Sequence, residues 1–166
     1  MQDFVHLHVH TQYSLLDGQA SVARLVDKAM QNGMKGIAVT DHGNMFGIKE
    51  FTNYVNKKNS GPKGEVKDLK KRIAGIEAGT IECEDKEAEI AACKAKIVEA
   101  ENKLFKPIIG CEMYVARRTM DLKEGKPDQS GYHLIVLAKN ETGYHNLIKL
   151  VSHAWTRGYY MRPRTD

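Results

Sequence analysis

The sequence predicts an α/β protein whose first elements form a strand–helix–strand unit with parallel strands. A strand-like alternation over Phe4–Thr11 comes first, a capped helical pattern over Ser21–Asn32 follows, and a short apolar strand over Gly36–Thr40 completes the unit. Two later apolar runs, Pro107–Ala116 and Tyr132–Ala138, predict a third and a fourth strand. The polar residues that follow the second strand stand where α/β folds place their chemistry.

The first strand carries an unusual set of side chains. One face is apolar and the other presents three imidazoles; the apolar face has Val5, Leu7 and Val9, and the other has His6, His8 and His10. A buried imidazole needs a hydrogen-bond partner or a cation to offset its desolvation. Imidazoles two residues apart on a strand can also direct their nitrogens at one metal ion. Metal binding is the interpretation that this pattern favours, and satisfied core or surface histidines are the alternative.

The helices follow from capping residues and apolar spacing. Ser21 is expected to cap the first helix, which ends near Asn32-Gly33. A second helix is predicted from Asn44 onward, and another from Thr142 to about Trp155. The stretch Tyr159–Asp166 is predicted to end the chain without a closing element.

Residues 57–106 differ in character from the rest of the chain. Ser60–Gly64 is predicted to break the structure, and charged helical patterns follow at Val66–Ala78 and Asp85–Leu104. We expect an antiparallel helical hairpin inserted into the domain. A solvated arm without chemistry is the preferred interpretation, and an arm that contacts DNA or a partner protein is the alternative.

Composition limits the class of protein. The 166 residues suffice for one domain with a real core, and the net charge of +4 permits nucleic-acid contact without requiring it. Three cysteines without a Cys-x-x-Cys pair favour a reduced, cytoplasmic protein over a disulfide scaffold. No apolar run approaches the roughly 20 residues that a membrane span requires, so no membrane association is expected.

Six polar residues remain once the predicted core is filled. They are His8, His10, Asp17, His42, Glu112 and His133. Six ligands exceed the needs of one tetrahedral zinc ion but suit two or three divalent ions bridged by carboxylates. Clustered ions of that kind serve phosphoester hydrolysis. The nucleotide-binding and nucleophile motifs of other enzyme classes are absent from the sequence.

These residues lie in motifs that resemble the PHP (polymerase and histidinol phosphatase) domain. His6–Thr11 with Tyr13–Gly18 is similar to the first motif of that family, and Thr40–Gly43 is similar to the second. Gly110–Glu112 and His133 match the next two. The stretches Tyr132–Asn140 and Tyr160–Asp166 resemble the branch of the family found at the N-terminus of bacterial replicative DNA polymerases.

The resemblance implies a fold, a metal site and partners. The family fold is an irregular seven-stranded, TIM-like β/α barrel with up to three ions (Zn, Mn or Fe), and the same six residues would be ligands in this chain. The remaining family ligands would follow residue 166. Residues 1–166 are therefore expected to be the N-terminal part of the domain in a longer polymerase, with an incomplete barrel that could self-associate. DNA and other replicase subunits would be its partners.

Two residues fit the family pattern less simply. His133 precedes its apolar run, so either the fourth strand runs antiparallel beside the third or His133 has only a structural role. His6 stands where many relatives carry Asp, and it is expected to orient His8 rather than to bind metal.

Three functions follow from the resemblance. The first is metal-dependent phosphoester hydrolysis as a 3′–5′ proofreading exonuclease, with a metal-activated water and no catalytic side chain that can be named. The second is a structural or interaction module that docks a proofreading subunit without hydrolysis. The third, a free-standing small-molecule phosphatase, is disfavoured by the polymerase-like stretch from Tyr132 onward.

Overall fold

The computed structural model describes residues 4–15 and 17–166 and shows a mixed α/β protein. Leu16, part of the first motif, lies outside the described residues. The elements in chain order are α1 (Val22–Gln31), β1 (Gly36–Val39), α2 (Ile48–Lys58), α3 (Ser60–Glu77), α4 (Lys86–Asn102), β2 (Lys106–Ala116), a short 3-10 helix (Lys126–Asp128), β3 (Gly131–Leu137), α5 (Glu141–Thr156), β4 (Tyr159–Tyr160) and β5 (Arg162–Thr165). None of the described helices is long and apolar enough to cross a membrane.

The sheet is organised around the long strand β2. Its first half pairs in parallel with β1, with Gly36 opposite Lys106, and its second half pairs antiparallel with β3. Near its end β2 also pairs in parallel with β5, and β4 pairs antiparallel with β5. The prediction of a parallel α/β arrangement is confirmed for β1 and β2. The seven-stranded barrel remains an expectation, because the described residues form five strands.

The predicted strand at Phe4–Thr11 is wrong in detail. The segment runs beside β1 and accepts two backbone hydrogen bonds, from Ala38 N to His6 O and from Thr40 N to Val9 O. One residue lies between the two donors, whereas two residues lie between the two acceptors. The segment therefore contains one extra residue, and it bends where a regular ladder would continue. The predicted alternation fails with it, because Leu7 is 49% exposed.

The end of the chain also differs from the prediction, because Tyr159–Asp166 does form a closing element. The strands β4 and β5 make a small hairpin, and β5 adds to the sheet beside β2. Arg164 is fully buried, and its guanidinium donates to the backbone carbonyl groups of Gly158, Met120 and Leu122. These carbonyl groups satisfy Nε and Nη2 of the buried guanidinium, whereas Nη1 has no hydrogen-bond partner among the described residues.

The predicted helices are present, although the one expected from Asn44 begins only at Ile48. Ser21 caps α1 through its hydroxyl group, which accepts a hydrogen bond from Arg24 N. Asn140 caps α5 in the same way through Gly143 N. The helix α5 buries Leu147, Val151 and Ala154 against Cys111 and Met113 of β2, and this contact forms a core cluster beneath the sheet.

The chain divides into two compact units, one of Met1–Tyr54 with Lys106–Asp166 and one of Val55–Phe105. In the second unit α3 packs against α4, and Arg72 pairs with Glu89 at 2.8 Å. Asn59 and Phe105, near the two ends of this unit, exchange two hydrogen bonds of 2.8 and 2.9 Å.

The predicted break at Ser60–Gly64 is wrong, because α3 begins at Ser60. Pro62 lies in the first helical turn, where the missing N–H group has little cost. The two helices agree with the predicted pair, and their status as an insertion into the domain stays a prediction.

Candidate metal centre

The centre is built around Glu112, in the middle of β2, whose side chain is only 2% exposed. His42 follows β1 and forms an isolated parallel bridge with Glu112. His133 lies near the start of β3, opposite Tyr114. Because β3 is antiparallel to β2, its first residues lie where β2 ends. The antiparallel alternative for the fourth strand is therefore confirmed, and it brings His133 to the same end of the sheet as Glu112.

Two imidazoles meet one carboxylate oxygen of Glu112. His8 Nε2 lies 2.6 Å from Oε2, and His10 Nε2 lies 3.0 Å from the same atom. The two imidazole nitrogens are 2.9 Å apart. These three ligand atoms converge closely enough to hold one ion.

Two other imidazoles meet the second carboxylate oxygen. His42 Nδ1 lies 3.1 Å from Oε1, and His133 Nδ1 also contacts that oxygen. These contacts lack hydrogen-bond geometry, and among the described residues both His42 Nδ1 and Glu112 Oε1 are buried without a hydrogen-bond partner. Burial of an unpartnered polar atom costs about 1–3 kcal/mol, which a cation held by both atoms would offset. This second trio therefore also suits an ion.

Asp17 stands apart from Glu112. Its carboxylate is 56% exposed and meets His42 from the far side, with Oδ2 2.6 Å from His42 Nε2. A neutral imidazole offers one lone pair, so His42 can present only one of its two nitrogens to an ion at a time. Five of the six predicted residues thus meet directly, and Asp17 joins them only through His42.

A known protein family matches nearly the whole chain. The family model of the PHP domain matches residues 6–166. The chain belongs to the PHP domain family.

Three curated relatives share one name, DNA polymerase III subunit alpha. The relative from Treponema pallidum is 40% identical over 164 residues, which cover 98% of this chain and 10% of the relative. The relative from Borreliella burgdorferi is also 40% identical, over 166 residues with the same coverage. The relative from Aquifex aeolicus is 33% identical over 171 residues, covering 99% of this chain and 11% of the relative. The chain therefore spans about a tenth of the length of these relatives.

A buried network that the sequence reasoning missed supports the imidazoles of this PHP domain. Asp41 is buried, and its carboxylate accepts hydrogen bonds from Thr11 N at 2.6 Å, from Thr11 Oγ1 at 2.8 Å and from Ser14 Oγ at 2.9 Å. Ser14 Oγ also lies 2.9 Å from His10 Nδ1 and accepts from His42 N at 3.1 Å. The only signal in the sequence was the position of Asp41, directly after a buried strand and before His42.

This network fixes the tautomer of His10. The single hydroxyl proton of Ser14 goes to the carboxylate of Asp41, which can only accept. Ser14 Oγ must then accept a hydrogen bond from the N–H group at His10 Nδ1, and this leaves the lone pair of His10 on Nε2. Nε2 is the atom that faces Glu112. A hydrogen bond to the far nitrogen is the usual way to orient a metal-binding histidine.

The pKa shifts of His10, Glu112 and Asp17 favour the protonation states that bind a cation. Burial and then the neighbouring His42 lower the pKa of His10, which favours its neutral form. Burial acts to raise the pKa of Glu112, but the hydrogen bond from His8 and the surrounding imidazoles outweigh it and the pKa is lowered. The hydrogen bond from His42 lowers the pKa of Asp17. Neutral imidazoles and ionised carboxylates are the forms that bind metals.

Two neighbouring residues do not join the ligands. Burial raises the pKa of the Cys111 thiol to about 12, and its Sγ is directed at Asp41 O at 3.5 Å. His6 is exposed, and its ring lies edge-on to Phe4 with ring centres 4.7 Å apart. In the part of the chain that the structure describes, no hydrogen bond links His6 to His8, so the expected orienting role has no support there.

Proposed function

We propose that the chain is the N-terminal PHP region of a bacterial replicative DNA polymerase subunit and supports metal-dependent phosphoester hydrolysis, as a 3′–5′ exonuclease. The observation that carries this proposal is the position of Glu112, whose two oxygens each face two imidazoles. A buried carboxylate shared in this way is the expected bridge between two divalent ions.

Each residue would have a defined part in this site. His8, His10 and Glu112 would hold one ion, and His42, His133 and Glu112 would hold a second. Asp17 would contribute to a third position beside His42. Imidazole and carboxylate ligands accept Zn, Mn or Fe. Ions in such a site supply polarisation of a phosphoryl oxygen and a lowered pKa for water.

The name that the relatives share indicates the activity of the longer protein. We propose that the longer protein is a DNA-directed DNA polymerase that acts in the cytoplasm with DNA and other replicase subunits as partners. The polymerase chemistry would lie in other parts of that protein, so the 166 residues alone are not expected to synthesise DNA.

Nuclease assays on the longer protein test the hydrolytic function. His10→Ala should abolish metal-dependent release of 3′ nucleotides and lower the metal content, because His10 is one of the imidazoles that face Glu112. His145→Ala is the matched control, since His145 lies on α5 and pairs only weakly with Glu141 at 3.9 Å. Equal nuclease activity in the two variants would contradict hydrolysis at this site.

One observation favours the second candidate function, a docking module without hydrolysis. Tyr132 and Leu134 of β3 are 62% and 53% exposed, and exposed apolar side chains on a strand suit a protein interface. This function predicts that metal removal lowers the melting temperature of the longer protein while nuclease activity stays at background in every variant.

A further inference from the structure

A cleft opens beside the candidate metal centre, with a volume of about 440 Å³. His42, His133 and Asp17 are among its lining residues, so the cleft and the centre share residues. Phe46, Trp155, Tyr159 and Arg162 also line it. Clefts of about 300–1,000 Å³ are the usual size for ligand sites. A substrate bound at the centre and in this cleft would contact these four residues.

Three exposed aromatic side chains form a row along the cleft, namely Phe46, Trp155 and Tyr159. Trp155 and Tyr159 are stacked, with ring centres 5.6 Å apart and planes at 21°, and Phe46 lies 6.1 Å from Trp155. Their exposed fractions are 62%, 42% and 48% in chain order. Trp155 is held in place because its Nε1 donates to Gly43 O at 2.8 Å. The row is therefore a fixed aromatic surface open to a ligand.

A cation lies at the same cleft. Arg162 is exposed, and its Nη1 donates to the hydroxyl group of Tyr114 at 3.0 Å. Guanidinium has five N–H donors in a fork that matches phosphate oxygens. The preceding residue, Met161, has φ +62°, and it is the one non-glycine residue with positive φ in the described part of the chain. Such strain occurs at functional sites, and this turn places Tyr159 and Arg162 at the cleft.

We propose that this cleft binds the end of a single-stranded nucleic acid. Phe46, Trp155 and Tyr159 stack its bases, Arg162 contacts a backbone phosphate, and the phosphodiester to be cleaved lies toward His42 and His133. The assignment rests on the proposed exonuclease function and adds the residues that hold its substrate. A small phosphomonoester offers at most one base to the aromatic row, whereas stacking of successive bases on aromatic side chains together with a cation is the usual recognition of single strands.

The chain carries its own reporter, since Trp155 is its single tryptophan. We expect a short oligothymidylate to quench the fluorescence of the chain in the presence of EDTA, which prevents hydrolysis. Phe46→Ala and Tyr159→Ala should each weaken this binding by about five- to a hundredfold. Leu150→Ala is the matched control, because Leu150 is also exposed (39%), lies on the same helix as Trp155 and is not among the residues that line the cleft.

Two further probes test which parts of the oligonucleotide the cleft recognises. An abasic oligomer of the same length should bind much more weakly, and so should thymidine monophosphate. Absence of quenching, unchanged affinity in both folded variants, or equal affinity for either probe would overturn the proposal. Thermal melting followed by circular dichroism verifies that each variant is folded. Both variants are expected to fold, because the two substitutions remove exposed side chains.

The binding experiment and the nuclease assay can fail separately. Strong base-dependent binding in a protein without nuclease activity would leave the cleft assigned and remove the phosphoesterase function. Nuclease activity that survives Phe46→Ala and Tyr159→Ala with unchanged substrate affinity would remove only the cleft assignment.

Discussion

At the scale of single residues, Ser14 shows how a side chain that binds no metal can control the centre. Its hydroxyl group lies between the carboxylate of Asp41 and the imidazole of His10. The direction of one proton then decides which nitrogen of His10 is available. The sequence alone does not indicate this role of Ser14, because the hydrogen-bond partners of a loop serine are set by the fold.

We predict that Ser14→Ala weakens metal binding by about 10- to 100-fold, because His10 loses the hydrogen bond that fixes its tautomer. Metal titration followed by calorimetry measures the change. Ser21→Ala is the control: it removes the cap of α1 and should cost about 1 kcal/mol of stability without affecting metal affinity. Equal metal affinity in wild type and Ser14→Ala would show that Ser14 does not position His10.

The other residues of the centre differ in how far the sequence could predict them. Glu112 was predictable, since a carboxylate within the apolar run of β2 must be paired or bound to metal. The role of His133 was open, because it depends on the antiparallel pairing of β3 with β2. Asp41 was missed, because its three donors come from a segment 27–30 residues earlier in the chain.

At the scale of elements, local signals predicted most helices and the strands β1 to β3, but they missed the hairpin of β4 and β5. The caps at Ser21 and Asn140 are local, and both helices begin where expected. The strand β5 has four residues, including Pro163 and two arginines, and it exists through pairing with β2 some 50 residues earlier. The start of α3 was missed because glycine and proline in a first helical turn resemble a loop.

The loop between β2 and β3 is held by an ion pair with a pH dependence that can be tested. The Asp128 side chain is fully buried and accepts hydrogen bonds from Arg118 Nε at 3.0 Å and Glu124 N at 2.8 Å. The hydrogen bonds from Arg118 lower the pKa of Asp128 below its ordinary value of 3.8. The unfolded state therefore takes up the proton first as the pH falls.

We predict that this pair stabilises the protein fully above about pH 4 and that its contribution is lost as the pH falls through the folded-state pKa. Asp128→Asn should be less stable at pH 7, and its free energy of unfolding should fall less steeply below pH 4. Urea unfolding across this range measures both slopes. Asp121→Asn breaks a pair with Arg157 in which both side chains are more than half exposed, and it should change stability much less. Parallel slopes in wild type and Asp128→Asn would contradict this assignment.

At the scale of the whole molecule, all six candidate ligands belong to the unit of Met1–Tyr54 with Lys106–Asp166. The unit Val55–Phe105 contributes none of them. Its ends are close, because Asn59 and Phe105 exchange two hydrogen bonds. The predicted insertion is open to a direct test.

We predict that replacing Ser60–Leu104 with a Gly-Gly linker leaves the metal centre intact. The hydrogen-bonded ends require only a short connection, and the sheet that carries Glu112 is formed by the other unit. Bound metal per chain should equal that of the wild type, with circular dichroism verifying the fold. Loss of metal from a folded deletion variant would show that Val55–Phe105 takes part in the site.

The proposed bridging of two ions by Glu112 is tested most directly by the metal content of the purified longer protein, measured by mass spectrometry. If the claim holds, wild type binds more than one divalent ion, His8→Ala and His133→Ala each lose about one, and Glu112→Gln loses both together. His145→Ala should match the wild type. A wild-type chain without bound ions, or a Glu112→Gln chain that keeps the full content, would contradict the account.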